Sequence, residues 1–148
     1  MPPTRSGDEL HVVLARVARA HRAAAARALT PLGLHPGQDL LLDLLWQADG
    51  RTQADLVAAL GVEAPTVTKM AARLEAAGFV VRLPHPDDGR ATQVWLTEDG
   101  WAQRSPVHRA WRRLDTQLTA ALSDRQAGTL RSLLGTVAAD LDGERRPR

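Results

Sequence analysis

Apolar residues recur along this chain first at helical spacing, then briefly with the two-residue period of a strand, then at helical spacing again. Leu10, Val13, Leu14, Val17 and Leu29 mark a helix over 8–29, filled in by alanine and arginine and ended by Pro31. A second helix is predicted to begin near Pro36, a favoured first-turn residue, and to run through 38-QDLLLDLLWQA-48. Its near-continuous leucines predict burial on most sides. In 52-TQADLVAAL-60, Thr52 is a good N-cap, and Asp55 stands where a capping box places its acidic partner. Gly61 ends that helix, and 63-EAPTVTKMAARLEAA-77 predicts another, closed by Gly78. Helix, short turn and helix together make a helix-turn-helix pattern.

The period then changes. The short β-rich run 79-FVVRLP-84 and the alternating run 91-ATQVWLT-97 flank a Pro/Asp/Gly cluster, which predicts a β-hairpin. Thr97 caps a long helix to about residue 121, in which Pro106 is expected to introduce a kink or an interruption. Ser123 and Gln126 form a second capping box, for a helix to about 141. Leu114, Leu118 and Leu122, and Leu130, Leu133, Leu134, Val137 and Leu141, are more apolar surface than the small centre can cover. A second copy of the chain would cover it, so a homodimer is expected. The expected organisation is a disordered N-terminus at 1–7, dimerisation helices at 8–30 and 100–141, a central lobe at 31–99 and a frayed tail at 142–148. The fold class is mainly α with a small β-hairpin.

Composition adds mostly exclusions. No run approaches the roughly 18 apolar residues of a membrane span, and MPPTRSGDEL has no apolar signal segment. The chain has no cysteine, which removes disulfides, thiolate metal sites and a thiol peroxide sensor. A cytoplasmic protein is expected. The pI of about 10.3 overstates the basic character, because the formal net charge is only +2. With one lysine, eighteen arginines and no tyrosine, little titrates between histidine and arginine. An argument for nucleic acid must therefore come from where particular cations sit.

On the second helix of the pair, Pro65, Thr66, Thr68, Lys69 and Arg73 gather small polar and cationic groups, while Val67, Met70, Ala71 and Leu74 form the inward set. In a helix-turn-helix the N-terminal part of that helix enters the major groove, where such groups meet phosphates and base edges. The same residues also fit a solvated helix face, and such folds serve protein contacts too. The hairpin shifts the balance towards DNA. Arg82 lies on its incoming strand and Arg90 in its loop, and arginine in a narrow minor groove is a favourable contact. His85, Asp87 and Asp88 raise a metal or acid–base alternative, but an Asp-Gly turn accounts for the acids without chemistry. No phosphate-binding glycine loop, H-E-x-x-H pair or nucleophile elbow is present, and no catalysis is expected.

The run 60-LGVEAPTVTKMAARLEAAGFVVRLPHPDDGRATQVWLTEDG-100 resembles the winged helix-turn-helix core of the multiple-antibiotic-resistance regulator (MarR) family. The resemblance rests on Thr66 to Lys69, RLE followed by Gly78, the strand bearing Arg82, PDDGR at 86–90, and LT followed by Gly100. With its helical flanks it covers most of residues 8–141. It implies a homodimeric transcription regulator, a repressor or an activator, on a pseudo-palindromic operator of double-stranded DNA. Pro65, Thr66, Thr68, Lys69 and Arg73 become recognition-helix contacts, Arg82 and Arg90 wing contacts, and Asp88 the residue that orients Arg90. Glu63 departs from the small N-capping residue common at its position.

Many members of that family release DNA when a small aromatic or anionic effector binds between the dimer helices and the lobe. His11, Arg16, Trp46, Trp101 and Trp111 are candidates to line such a cleft, although for Trp46 a core position is favoured. A zinc-responsive regulator is an alternative, with His11, His21, His35 and His108 available, but no two histidines stand four apart. No metal and no cofactor is expected. A helix-turn-helix protein-interaction module is the other alternative.

Overall fold

The computed structural model describes residues 9–144. The disordered stretch expected at 1–7 lies outside that range, as do residues 145–148 of the expected tail, whereas 142–144 continue the last helix. Seven helices and three strands follow in the order α1 (Leu10–Leu29), α2 (Gln38–Gln47), β1 (Arg51–Thr52), α3 (Gln53–Leu60), α4 (Ala64–Ala76), β2 (Val80–Pro84), β3 (Thr92–Leu96), α5 (Glu98–Ala102), α6 (Arg104–Thr119) and α7 (Asp124–Glu144). A 3₁₀ turn, Thr30–Leu32, closes α1 at Pro31.

The helix α2 begins two residues later than Pro36 suggests. Gly37, at φ 98°, reverses the chain there, and its amide donates to Asp39 Oδ1 at 3.0 Å. As its leucines predict, α2 is buried on most sides, through Leu41, Leu42, Leu45 and Trp46. Leu29, Leu34, Leu56, Val67, Leu74, Val80, Val94 and Val107 pack around it into one core.

The hairpin carries a third strand that the sequence reading did not contain. β1 pairs antiparallel with β3, giving the order β1-β3-β2. Two residues are too few to show a period, so this strand exists because its surroundings place it. Asp49 Oδ1 accepts the amides of Gly50 and Leu96, both at 2.9 Å, and Arg51 Nε donates to the Leu44 carbonyl at the end of α2.

The long helix expected from Thr97 is two helices, α5 and α6, hinged at Gln103. Pro106 has no amide to donate, so the ladder breaks one turn before it and resumes with Val107 donating to Gln103. Both capping boxes form: Thr52 with Asp55, and Ser123 with Gln126. Of the apolar stripe on the C-terminal helices, Leu114 is buried within the chain, while among the described residues none of α7 is fully buried. Leu130, Leu133, Leu134, Val137 and Leu141 are exposed along α7, and Leu10, Val13, Leu14 and Val17 along the first half of α1.

Candidate nucleic-acid interface

Thr52 and Asp55 start α3, and Gly61, at φ 64°, ends it in the left-handed conformation that a glycine adopts without a Cβ clash. The chain turns through Val62 and Glu63 into α4. Glu63 takes the N-cap conformation but makes no side-chain capping bond, and Pro65 fills a first-turn position where an amide would have no helical partner. Val67, Ala71 and Leu74, at successive helical turns, bury one face of α4 against the core, with Met70 half-buried beside them. That registration leaves Pro65, Thr66, Thr68, Lys69 and Arg73 exposed. The five residues selected on the sequence therefore share the outer side of one helix. The Thr68 hydroxyl donates back to the Ala64 carbonyl at 3.1 Å, leaving its methyl and its oxygen lone pair for other contacts.

The wing loop spans 85–91 and is held by its own polar groups. The His85 amide donates to the Ala91 carbonyl at 2.9 Å, and the Ala91 amide to the Asp88 carbonyl at 3.0 Å. Asp88 Oδ1 accepts the backbone amide of Arg90 at 3.1 Å, and His85 Nδ1 accepts that of Asp87 at 3.1 Å. Asp88 thus shapes the turn through the backbone of Arg90, and among the described residues no ion pair joins their side chains. The Arg90 side chain is exposed.

Arg82 is placed differently from Arg90. Glu75, in the last turn of α4, takes three bonds from it: the Arg82 amide to Oε2 at 2.8 Å, and Nε and Nη2 to Oε1 at 3.1 and 2.9 Å. The side-chain bond from Arg82, then the one from its amide, hold the Glu75 carboxyl below the usual glutamate range, against a desolvation effect of opposite sign. The pair's contribution is thus complete above the ordinary glutamate range and is lost as pH falls through the lowered folded-state value. The sequence reading missed Glu75. The signal was present, since a carboxylate at a helix C-terminus opposes the helix dipole unless a cation holds it.

The five candidates for an effector cleft do not converge. Trp46 is core, and its Nε1 donates to the Gly100 carbonyl at 3.1 Å. Trp101 is exposed on α5, and His11 on α1. Arg16 lines a shallow groove along α1 with Val13, Val17 and Arg19. Only Trp111 lines the cavity of about 510 Å³ between α1, the start of α2 and α6, where Arg19, His21, Arg22, Leu40 and Leu114 join it. Trp111 Nε1 donates to Asp39 Oδ2 at 2.8 Å, and the His108 ring sits 5.4 Å from Trp111 and 5.6 Å from Trp46. Arg19 and Arg22 are three apart on α1, a spacing that puts both on one helix face. Among the described residues no three His, Asp or Glu side chains gather as a metal site would need, and no helix is long and apolar enough to cross a membrane.

Comparison with known proteins matches residues 34–92, the segment containing this interface, to the MarR family. The multiple antibiotic resistance protein MarR of Salmonella typhimurium is 35% identical over 107 residues, 72% of this chain and 74% of that one. An HTH-type transcriptional repressor of Mycobacterium bovis is 28% identical over 131 residues, 88% of this chain and 94% of that one. The crystal structure of a mutant MarR from E. coli complexed with operator DNA superposes with a TM-score of 0.79 at 30% identity, covering 86% of this chain and 92% of that one. The same three-stranded sheet and helical frame recur there. This chain belongs to the MarR family of DNA-binding transcriptional regulators and is not an enzyme.

Proposed function

We propose that the chain acts in the cytoplasm as a homodimeric repressor on a pseudo-palindromic operator, and that a small anionic aromatic effector relieves it. The observation that carries the reading is the outer side of α4: Pro65, Thr66, Thr68, Lys69 and Arg73 exposed together, with the exposed Arg90 on the adjoining wing. In this reading the α4 helices of two protomers enter successive major grooves, and Arg90 enters the flanking minor groove. The related protein solved with operator DNA supports it. Repression is steric, by occupation of the promoter.

Two copies are needed because α7 and the first half of α1 have apolar faces that the rest of the chain leaves uncovered. Selection of bound genomic fragments tests the reading and identifies the operator. If no duplex is bound with sequence preference, the chain is instead a protein-interaction module. On the selected operator, Arg90→Ala is expected to weaken binding several-fold or more, with folding and dimerisation intact. Unchanged affinity in a fluorescence-anisotropy titration would remove the wing from the interface.

The effector part rests on the cavity of about 510 Å³ between α1, α2 and α6, a size suited to a small molecule. Arg19 and Arg22 supply positive charge, and Trp111, Leu40 and Leu114 supply apolar walls. Benzoate is a suitable probe. It is expected to raise the operator dissociation constant, and Arg22→Ala is expected to abolish that response while leaving affinity without benzoate unchanged. A response that survives in Arg22→Ala places the effector elsewhere.

A further inference from the structure

Glu75 stands where two general rules disfavour a carboxylate. It lies in the last turn of α4, where the helix dipole favours cations. It also lies on the helix that, in the reading above, approaches phosphate. Both its carboxylate oxygens nevertheless turn to a single residue, Arg82, one oxygen to the amide and the other to the guanidinium. Among the described residues these are the side-chain bonds that join α4 to β2.

We propose that Glu75 and Arg82 form a strut that sets the angle between the recognition helix and the wing, with Arg82 a positioning residue and not a phosphate contact. The inference rests on the DNA-binding reading above. The connection between the two elements contains Gly78 at φ 83°, a residue whose own conformation constrains the angle weakly. Thr97 secures the near end of the hairpin, its hydroxyl donating to the Gly78 carbonyl at 2.6 Å and its amide to Phe79 at 3.0 Å. The strut is the next bond outward. The loop begins three residues beyond Arg82 and Asp88 lies six beyond it, up to about 20 Å of extended backbone, so a swing of roughly 10° at the root displaces the loop that carries Arg90 by about 3 Å. That is half the width of a minor groove of about 6 Å. The strut also cancels charge. Glu75 faces the duplex neutralised, and Arg82 turns its Nε–H and one Nη2–H to Glu75.

The test uses the sign of an effect. Glu75→Ala removes a negative charge from the DNA-facing side and places a better helix former at a helix C-terminus, so charge and propensity alone favour tighter binding. The strut requires the opposite, about tenfold weaker operator binding by fluorescence anisotropy, with the thermal midpoint of the free protein close to that of the parent. The double variant Glu75→Ala/Arg82→Ala, whose net charge equals the parent's, is expected to bind no worse than either single variant. It should also keep the parent's slope of log affinity against log salt. If Arg82 neutralises a phosphate, removing it makes that slope shallower by about 0.9 per protomer, about 1.8 for a dimer, and Glu75→Ala binds as well as the parent or better. Either result overturns the strut.

Hydrogen exchange of the free protein reads the same strut without DNA. In Glu75→Ala the Arg82 amide and the wing amides beyond it are expected to exchange faster, with α2 unchanged. Unchanged wing exchange overturns the strut even where operator binding stands. A parent chain that binds no duplex, with faster wing exchange in the variant, overturns the DNA-binding reading and keeps the strut. Should Glu75→Ala not fold, Glu75→Gln takes its place in every assay, since glutamine retains one acceptor oxygen and loses the charge.

Discussion

Substituting glutamate for both Leu133 and Val137 is expected to yield a monomer that binds a palindromic duplex at least about a hundredfold more weakly than the parent chain. Both residues lie on α7, of which no described residue is fully buried within the protomer, and they are four apart on one helix face, about 60% and 49% exposed. A helix standing clear of its own core takes most of its stability from packing against another surface, here a partner's. Two carboxylates on that surface would have to be buried unpaired for the proposed dimer to form, and several kcal/mol of desolvation is more than such an interface can absorb. Losing the dimer removes the second lobe from the duplex. That lobe otherwise binds at a local concentration in the millimolar range, which multiplies affinity by roughly a hundred to ten thousand. Sedimentation velocity and anisotropy titration check the two parts separately. A double variant that remains a dimer with full affinity would show that the chain pairs through another face. Because neither residue contributes to the core, far-UV circular dichroism of the lobe helices is expected to persist.

Gly100→Ala is expected to destabilise the protein by about 3 kcal/mol, although helix propensity by itself favours alanine at that position by about 1 kcal/mol. Gly100 is in the first turn of α5 and is buried. A Cβ there would collide with the Phe79 carbonyl oxygen and stand 3.1 Å from Leu96 Cδ2. The Phe79 carbonyl cannot give way cheaply, because it accepts the Thr97 amide at 3.0 Å. Nor can Gly100 retreat, since its amide donates to Thr97 Oγ1 at 3.0 Å and its carbonyl accepts from Trp46 Nε1 at 3.1 Å. Any movement breaks the joint where α2, the base of the wing and α5 meet. Urea titration measures the loss. Gly89→Ala, where a Cβ would meet nothing within 4 Å, is the control and is expected within about 0.5 kcal/mol of the parent. A Gly100→Ala variant as stable as its control would mean that the joint yields freely.

The recognition helix was legible in the sequence because everything that specifies it is local. Pro65 sets its start, Val67, Ala71 and Leu74 set its buried side, and the residues left over are the proposed contacts. Arg90 was legible for a similar reason, as its loop is built from neighbours two to six residues apart. Arg82 was legible as a cation near the wing but not as the partner of Glu75, since a strand and a helix end had to be brought face to face. The effector candidates do not share one cavity. Tryptophan at helical spacing says that a residue packs, not what it packs against. Trp46 lies in the core and Trp101 on the surface, while Arg19, His21 and Arg22 line the cavity beside Trp111.

By itself the sequence determined the helices, their caps, the hairpin and the outward side of α4, along with the family resemblance carried by residues 60–100. Each depends on periodicity, on turn chemistry or on bonds between near neighbours, up to six residues apart in the wing loop. The tertiary structure alone decided the third strand, the Glu75–Arg82 pair and the joint at Gly100. Trp46 meets Gly100 across 54 residues and Trp111 meets Asp39 across 72. Pairings of that separation leave no period to read, because they depend on how the core brings distant segments together.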